Sequence, residues 1–281
     1  MLKKALLTVF VMFLFTTSYS QNKEKIKGDR NLTIQETKIN SFNKIVVGDK
    51  FKIDLIEGES ASVFVETDSN LHDVIRFNVA DSTLYFDTSH RITSSKKMDI
   101  KVTYTKTLKE IETIEDGEVS SLTSINLPII SLKHSGTSRA FLNIKATNFN
   151  LINNGRAKLK LNVTTKLATL QLNENTSVDA LFEADSIQVD LYQRAEAKIE
   201  GNVSYLNVRA DNSTNFVGKE LTATNCDVVT DLTCDVYVQV SDSLQIEASG
   251  SSEVYIYNNP KITLNKFVDT AKIHKKELKS Q

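Results

Sequence analysis

The titratable residues of this sequence are spread along the chain, and few lie at spacings that support catalysis. None of the four histidines has a partner at a metal-ligand spacing, and we interpret them as exposed or singly bonded imidazoles. They are His72, His90, His134 and His274. His134 is expected near Asn153, but the sequence signals neither an oxyanion hole nor a strained nucleophile turn there. We therefore predict no catalytic residues and no cofactor.

Two further motifs suggest chemistry that their surroundings do not support. Ser94-Ser95-Lys96-Lys97 matches the S-x-x-K pattern of penicillin-recognising enzymes, but the companion motifs are missing and β segments lie on both sides. Acidic residues also gather at one edge of the predicted fold, and they are Glu115, Asp116, Glu118, Asp211 and Asp231. Because calcium needs about six to eight converging oxygens, we interpret these acids as solvated and predict no metal site.

A column of amides and hydroxyls is the main candidate binding feature. Its members recur at steps of 19 residues or twice that number, and they are Ser131, Asn150, Thr169, Gln188, Asn207 and Gln245. Such side chains either bond to one another along a stack, which we favour, or bind sugar hydroxyls. Tyr255, Tyr257 and Phe141 are the aromatics suited to stacking on a sugar. The predicted ligand-binding residues are Asn150, Gln188, Asn207, Gln245, Tyr255 and Tyr257.

The alternative function is a polysaccharide lyase or hydrolase, which requires clustered carboxylates or a carboxylate beside a base. The next outward column contains Lys133, Asp190, Arg209 and Glu247. Asp190 and Arg209 are one repeat apart, and we expect them to form an exposed ion pair rather than an active site. The sequence therefore favours a non-enzymatic function.

All of these positions are set by an internal repeat. A polar dipeptide, often ending in Gly, returns eight times at steps of 19 residues: Asp116-Gly117, Ser135-Gly136, Asn154-Gly155, Asn173-Glu174, Tyr192-Gln193, Asp211-Asn212, Thr230-Asp231 and Ser249-Gly250. A fixed period of this length predicts a solenoid in which each coil buries its apolar face against its neighbours. Apolar residues alternate on both sides of each pair, so each coil is predicted as strand, tight turn, strand and second turn. The predicted fold is an all-β stack of about eight parallel coils.

Several coils depart from the average pattern. Glu174 and Gln193 stand where Gly is usual, which predicts a wider or strained turn. In the seventh coil Cys226 and Cys234 reach the inward phase only if one residue is inserted elsewhere in the coil. We favour unpaired buried thiols there over a disulfide, since a bridge needs Cα atoms within about 7 Å. The segment before Lys106 and the tail from Pro260 are predicted to cap the stack.

The chain is divided into four parts by its composition. Residues 1–20 have the basic start, apolar run and small-residue end of a secretory signal peptide, and the run is too short to span a bilayer. Residues 21–105 lack the period but keep strand-like alternation, with hairpin turns expected at Glu57-Gly58-Glu59 and Ala80-Asp81-Ser82. Residues 106–275 hold the repeats, and 276–281 form a polar tail.

The charge balance excludes one class of partner. The chain has a net charge of −1, which becomes −3 once Lys3 and Lys4 are removed with the leader. A nucleic-acid partner requires a basic face, so none is expected. Asp81-Ser82-Thr83 and three similar tripeptides match acceptor sequences for bacterial O-glycosylation, and that modification is left open.

Ordered fragments near the N-terminus resemble a known family. They are Ile26-Lys27-Gly28, Phe42-Asn43-Lys44-Ile45-Val46-Val47-Gly48, Glu66-Thr67-Asp68-Ser69-Asn70-Leu71 and Asp81-Ser82-Thr83-Leu84. With the Ser-Gly coils behind them they resemble the secreted bacterial family called putative auto-transporter adhesin, head GIN domain, over about residues 26–273. The resemblance implies a right-handed β-helix, export to the periplasm, outer membrane or cell surface of a Gram-negative bacterium, and an adhesive or structural role. Expected partners are a glycan, an envelope protein or a second copy of the chain.

Overall fold

The protein is almost entirely β-structure. A computed structural model describes residues 23–277, so the predicted leader, its cleavage site and residues 278–281 lie outside the described part. Apart from one 3-10 turn at Ser69–Leu71, every regular element in residues 23–277 is a β-strand. None of the helical structure in these residues has the length and apolar character needed to cross a membrane.

The C-terminal two thirds of the chain form a parallel β-solenoid of about nine coils. Its strands are β10 (Glu110–Thr113), β11 (Glu118–Ser121), β12 (Ile125–Asn126), β13 (Ile129–His134), β14 (Arg139–Lys145), β15 (Asn148–Asn153), β16 (Lys158–Leu172), β17 (Ser177–Tyr192), β18 (Glu196–Asp211), β19 (Asn215–Asp231), β20 (Asp235–Ala248), β21 (Glu253–Tyr257), β22 (Lys261–Phe267) and β23 (Lys272–Lys275). We call the part of a coil before its tight turn the first arm and the part after it the second arm. First arms stack on first arms and second arms on second arms, always parallel.

The 19-residue register predicted from the sequence is confirmed in the central coils. Leu151 pairs with Leu170, which pairs with Val189, which pairs with Val208. These inward side chains are all buried, and they belong to one hydrophobic cluster that runs from Phe42 to Ile256. Each buried leucine or valine contributes about 1.5–3 kcal/mol relative to exposure, so stacking in register is the main source of stability.

The two corners of each coil differ. The tight turn holds a residue with positive φ, which is Gly in Gly136 and Gly155 but Glu in Glu174 and Gln in Gln193. The strain predicted for the non-glycine turns is therefore present, because a side chain disfavours this conformation. At the other corner the expected second turn is a bend within one long strand, as in β16, where buried Thr165 donates a hydrogen bond to the Thr147 carbonyl (3.0 Å).

Two of the eight predicted turn pairs are displaced. In the first coil the positive-φ residue is Glu115, and Glu118 pairs with Arg139 at a step of 21 residues. Gly117 instead lies in register with the buried Ser138 of the next coil, and a Cβ on Gly117 would be 2.2 Å from the Val47 carbonyl oxygen. The pair Asp116-Gly117 was thus a wrong alignment, because its glycine meets a close backbone approach and not a turn requirement.

The other displaced pair belongs to the seventh coil. The positive-φ residue there is Leu232, so the pair is Asp231-Leu232 and not Thr230-Asp231. The predicted one-residue insertion is confirmed, since the step rises from 19 to 20 where Glu200 pairs with Glu220. Both cysteines are buried and unpaired, as favoured, and burial raises the pKa of the Cys226 thiol.

The N-terminal strands extend the stack and close it. They are β1 (Lys25–Lys27), β2 (Leu32–Lys38), β3 (Lys44–Val47), β4 (Lys52–Glu57), β5 (Ser62–Asp68), β6 (Ile75–Ala80), β7 (Thr83–Thr88), β8 (Arg91–Ser94) and β9 (Met98–Tyr104). β3 and β4 lie parallel under β10 and β11, and β7 and β9 lie parallel under β3 and β4. Antiparallel β6, β5 and β2 then end the two sheets, so the N-terminal cap is confirmed.

Two predictions about the ends of the molecule were wrong. β4 and β5 do not form the hairpin predicted across Glu57-Gly58-Glu59, because β9 lies between them. The other predicted hairpin is confirmed, since β6 and β7 pair across Ala80-Asp81-Ser82. The tail from Pro260 is not a cap. It forms β22 and β23, one more coil of the solenoid, and every residue of β22 is exposed.

Candidate binding surface

A shallow groove lies on the outer face of the second-arm sheet. It has a volume of about 590 Å³ and follows one outward column through five coils: Ser120, Phe141, Lys160, Asp179 and Lys198. The column exists because alternate residues of a strand point outward and because the coils stack in register. Its members are therefore spaced about 4.8 Å apart along the stack. We call this surface the second-arm groove.

The second-arm groove combines apolar and charged groups. Phe141 and Leu181 are exposed in spite of their size, and Asn143 and Asn162 supply amides beside them. Lys198 pairs with Glu200, whose carboxylate raises the pKa of that lysine. Binding sites for small ligands have this character, with apolar area for contact and a few polar groups for orientation.

A ladder of aromatic rings continues the same column toward the C-terminus. Tyr237 and Tyr255 stack with ring centroids 4.2 Å apart and planes 4° from parallel, and Tyr255 stacks on His274 at 4.7 Å. Each ring comes from a successive coil, so the spacing of the coils sets the stacking distance. Tyr257 lies two residues further along the same arm, half-buried, beside Gln239.

One carboxylate holds the aromatic ladder in place. Glu253 accepts hydrogen bonds from the Tyr255 hydroxyl (2.6 Å) and from Lys272 (2.9 Å), and it lies 3.0 Å from His274 Nε2. Lys272, and then Tyr255, hold the pKa of Glu253 down to about 2. The same bond raises the pKa of Tyr255, so the phenol stays protonated. This end of the second-arm sheet therefore presents ordered flat rings at its surface.

The predicted amide column lies on the other face of the molecule. Asn150, Gln188, Asn207 and Gln245 point outward from the first arms, whereas Tyr255 and Tyr257 point outward from the second arms. The inward side chains of the two arms pack on each other, as Phe149 and Phe182 do with centroids 6.1 Å apart. The six predicted ligand-binding residues are thus divided between two opposite faces and do not form one site.

The hydrogen-bonded ladder expected along the amide column is not formed. Within residues 23–277, Gln188 donates to Asp190 on its own strand (2.8 Å), and Gln245 accepts from Asn265 of the last coil (3.1 Å). Asn150 and Asn207 make no side-chain hydrogen bond in that range. Further side-chain bonds between coils lie at the corners, where Asn173 donates to Asn154 (2.8 Å) and Arg194 to Asn175 (2.8 Å).

The expected ion pair of the first-arm face is also absent. Asp190 and Arg209 are register partners, but their charged groups do not come within salt-bridge distance in the described chain. Asp190 is bonded to Gln188. The pKa of Asp231 is lowered mainly by the Leu232 N–H, with a small contribution from the charge of Arg209. Lys133 pairs with Glu110 (3.0 Å). The column proposed for an enzyme is therefore not a cluster.

His134 is the one histidine in the core. It is fully buried beside Thr113, whose hydroxyl bonds to its Nδ1, and its Nε2 has no partner within the described residues. Burial lowers the pKa of His134 to about 3, so the imidazole is neutral. It pairs in register with Asn153, as the sequence predicts. A neutral, enclosed imidazole can position its neighbours but cannot meet a substrate.

Among residues 23–277 no three His, Cys, Asp or Glu side chains converge. The first-coil acids are engaged separately, since Glu115 accepts from the Asp49 N–H (3.1 Å) and Asp116 from the Thr137 hydroxyl. Lys96 and Lys97 of the S-x-x-K match donate to Asp68 and Glu66, so they serve the N-terminal cap.

The second-arm groove was not predicted from the sequence. Its signal is the column Phe141, Lys160, Asp179 and Lys198 at steps of 19 residues, which mixes residue types and so lacks the uniform polarity of the amide column. Reading every outward column of the repeat, and not only the uniform one, would have found it.

The stacked coils and the outward groove place the chain in the class of parallel β-solenoid proteins. Within this class it belongs to the family described as "putative auto-transporter adhesin, head GIN domain", whose profile matches residues 41–181 and 162–260. No curated protein matches the chain.

Crystal structures from two bacteria share the fold. A "putative lipid binding protein" from Parabacteroides distasonis has a TM-score of 0.61 and 17% identity, with 90% of this chain and 99% of that chain covered. A "putative adhesin" from Parabacteroides merdae has the same TM-score and coverage at 13% identity. A "putative adhesin" from P. distasonis has a TM-score of 0.57 and 18% identity, with 91% and 100% covered. At these identities the likeness concerns the fold.

Proposed function

We propose that this protein is an exported, non-enzymatic, adhesin-like module that binds an extended glycan along the second-arm groove. The observation that carries the proposal is the groove of about 590 Å³, in which Phe141 and Leu181 lie among amides, Asp179 and lysines. A sugar ring has an apolar face and a hydroxyl rim, which suits aromatic contact flanked by polar side chains. A chain of sugars can follow successive coils of the groove.

The family and the geometry both support a binding function without turnover. The chain belongs to an adhesin-like family, and the charged residues considered for catalysis are dispersed over several coils of the first-arm face. Function must come from a site, so the β-helix fold by itself does not favour a lyase or hydrolase. The signal-peptide pattern of residues 1–20 supports export, and the cell surface is the compartment in which an adhesin meets its ligand.

The test is a glycan array probed with the purified chain from residue 21, followed by variants on the two faces. Phe141→Ala removes the exposed ring of the second-arm groove, and Leu167→Ala is a matched control on the first-arm face. We expect Phe141→Ala to weaken binding about tenfold or more, equal to about 1.4 kcal/mol, and the control to leave it unchanged. Surface proteolysis of intact cells tests the location.

The amide column provides the competing assignment. Loss of binding in Asn207→Ala or Gln188→Ala, with Phe141→Ala unaffected, would move the site to the first-arm face. Absence of binding to every glycan on the array, with a folded protein, would overturn the glycan ligand itself.

A further inference from the structure

The last coil of the solenoid leaves two strand edges open. β22 pairs with β20 and β23 pairs with β21, and neither has a second neighbour among residues 23–277. One row of backbone N–H and C=O groups on each strand is therefore free to pair with a further strand. Open edges of this kind are templates for strand addition.

The core is also uncovered at this end. Ile262, Leu264 and Phe267 continue the inward columns of the preceding coil, where Leu244, Ile246 and Ala248 are fully buried. The three terminal side chains are 44%, 50% and 45% exposed, and Val268 beside them is 44% exposed. These apolar side chains continue a core column that no further coil covers. An exposed apolar patch of this kind is typical of a surface that binds a partner.

The N-terminal end of the stack differs from the C-terminal end in how its inward columns finish. At the N-terminal end Ile75 of the edge strand β6 is buried in the hydrophobic cluster, and Phe77 and Val79 of the same strand pack half-buried against it. On the other sheet the terminal strand β2 places Thr33, Gln35 and Thr37 opposite the buried residues of β5, so the inward column ends there in polar side chains. β6 and β2 each pair on one side only. The contrast makes the exposure at the C-terminal end a local property of the last coil and not a general feature of this fold.

The last coil is positively charged, which favours an acidic partner. Residues 261–277 contain five lysines, Lys261, Lys266, Lys272, Lys275 and Lys276, against Asp269 and Glu277, whereas the whole chain has a net charge of −1. Only Lys272 is in a salt bridge, with Glu253 of the preceding coil. A second copy placed with its own last coil against this one would bring lysines against lysines, and like charges on paired strands are destabilising.

We infer that the last coil receives an extended strand from another protein in which apolar residues alternate with Asp or Glu. The apolar residues extend the columns of Ile262, Leu264 and Phe267, and the acidic residues face the lysines. The partner's backbone satisfies the open edges, which an anionic membrane cannot do because lipid tails offer no hydrogen bonds. This surface is separate from the second-arm groove and does not depend on the glycan proposal.

The experiment measures binding of a fluorescein-labelled peptide of alternating Glu and Val residues by anisotropy, with an alternating Lys and Val peptide as its counterpart. The variant is Leu264→Glu, and the matched control is Leu167→Glu, because Leu167 is equally exposed on a strand with neighbours on both sides. Both substitutions are at exposed positions, so both variants are expected to unfold at the wild-type temperature.

The expected result is binding of the acidic peptide, about tenfold or more weaker for the Lys/Val peptide and for Leu264→Glu, and unchanged for Leu167→Glu. Three outcomes overturn the inference. One is equal binding of both peptides, the second is a concentration-dependent dimer that Leu264→Glu abolishes, and the third is sedimentation with phosphatidylglycerol vesicles without any peptide binding.

Discussion

Gly155 lies directly on Gly136, one coil away. The N–H of Arg156 donates to the Gly136 carbonyl (2.7 Å), and a Cβ on Gly155 would lie 2.9 Å from that same oxygen. Both glycines have positive φ, 70° and 75°. We call the stack of positive-φ residues in the tight turns the turn column. At Gly155 it must meet two requirements at once, a left-handed backbone and a close approach between stacked turns.

This contact predicts an asymmetric response to alanine at the turn column. Gly155→Ala is expected to lower the free energy of unfolding by about 1–3 kcal/mol, because the new methyl group meets the Gly136 carbonyl at a positive φ. Glu174, one coil further on, already carries a Cβ in the same conformation. Glu174→Ala is therefore expected to change the free energy of unfolding by less than about 0.5 kcal/mol. Urea denaturation measures the free energy of unfolding of both variants. A loss for Gly155→Ala as small as that for Glu174→Ala would show that the approach of the Gly136 carbonyl does not restrict this position.

The two phenylalanines Phe149 and Phe141 provide a comparison between core and groove. Phe149 is fully buried against Phe182, so Phe149→Ala is expected to lower the free energy of unfolding by about 3–5 kcal/mol through lost burial and a cavity. Phe141 points into the groove, and Phe141→Ala is expected to remain within about 0.5 kcal/mol of wild type. Thermal unfolding followed by circular dichroism gives both values. A large loss for Phe141→Ala would mean that its effect on binding is structural.

Buried His134 predicts a loss of stability on mild acidification. Its pKa in the folded protein is about 3, against about 6.5 in an unfolded chain, so the unfolded state binds the proton first. Stability is then full well above pH 6.5 and falls as the pH decreases, by about 1.6 kcal/mol between pH 6.5 and pH 5. Urea midpoints across this range measure the slope for the wild type and for His134→Gln, which should lose most of it. A slope that persists in the variant would point to other groups.

The fold could be predicted because the same pattern of apolar and turn residues recurs in coil after coil. Leu151, Leu170 and Val189 are individually ordinary apolar residues, but their common period fixes strand, register and stacking together. The exceptions were local. Gly117 resembles a turn glycine in the sequence, but a glycine is required there because the Val47 carbonyl lies close to it. Val47 is 70 residues earlier in the chain, so the repeat pattern does not reveal this contact.

The surface could be predicted only in part. The sequence placed Asn207 and Gln245 outward correctly, but it did not reveal that Asn207 lacks a partner along the stack or that Tyr255 lies on the opposite face. Side-chain bonding depends on rotamers, which the period does not set. The end of the stack was misjudged for a related reason, since Pro260 signals a turn but not whether the strands after it are covered. The division of the chain at residue 105 stays a prediction.

The strongest test of the stacking account removes one whole coil. Deletion of residues 158–176 joins Ala157 to Ser177, which occupies the register position of Lys158, so every inward side chain keeps its phase. We expect a folded, shorter solenoid with a cooperative unfolding transition. Deletion of residues 158–175 removes one residue fewer and turns the inward residues of the joined strand outward, because side chains alternate along a strand. That variant is expected to unfold or aggregate, and circular dichroism with size-exclusion chromatography distinguishes the two. If both deletions fold equally well, register between coils is not what stabilises the protein.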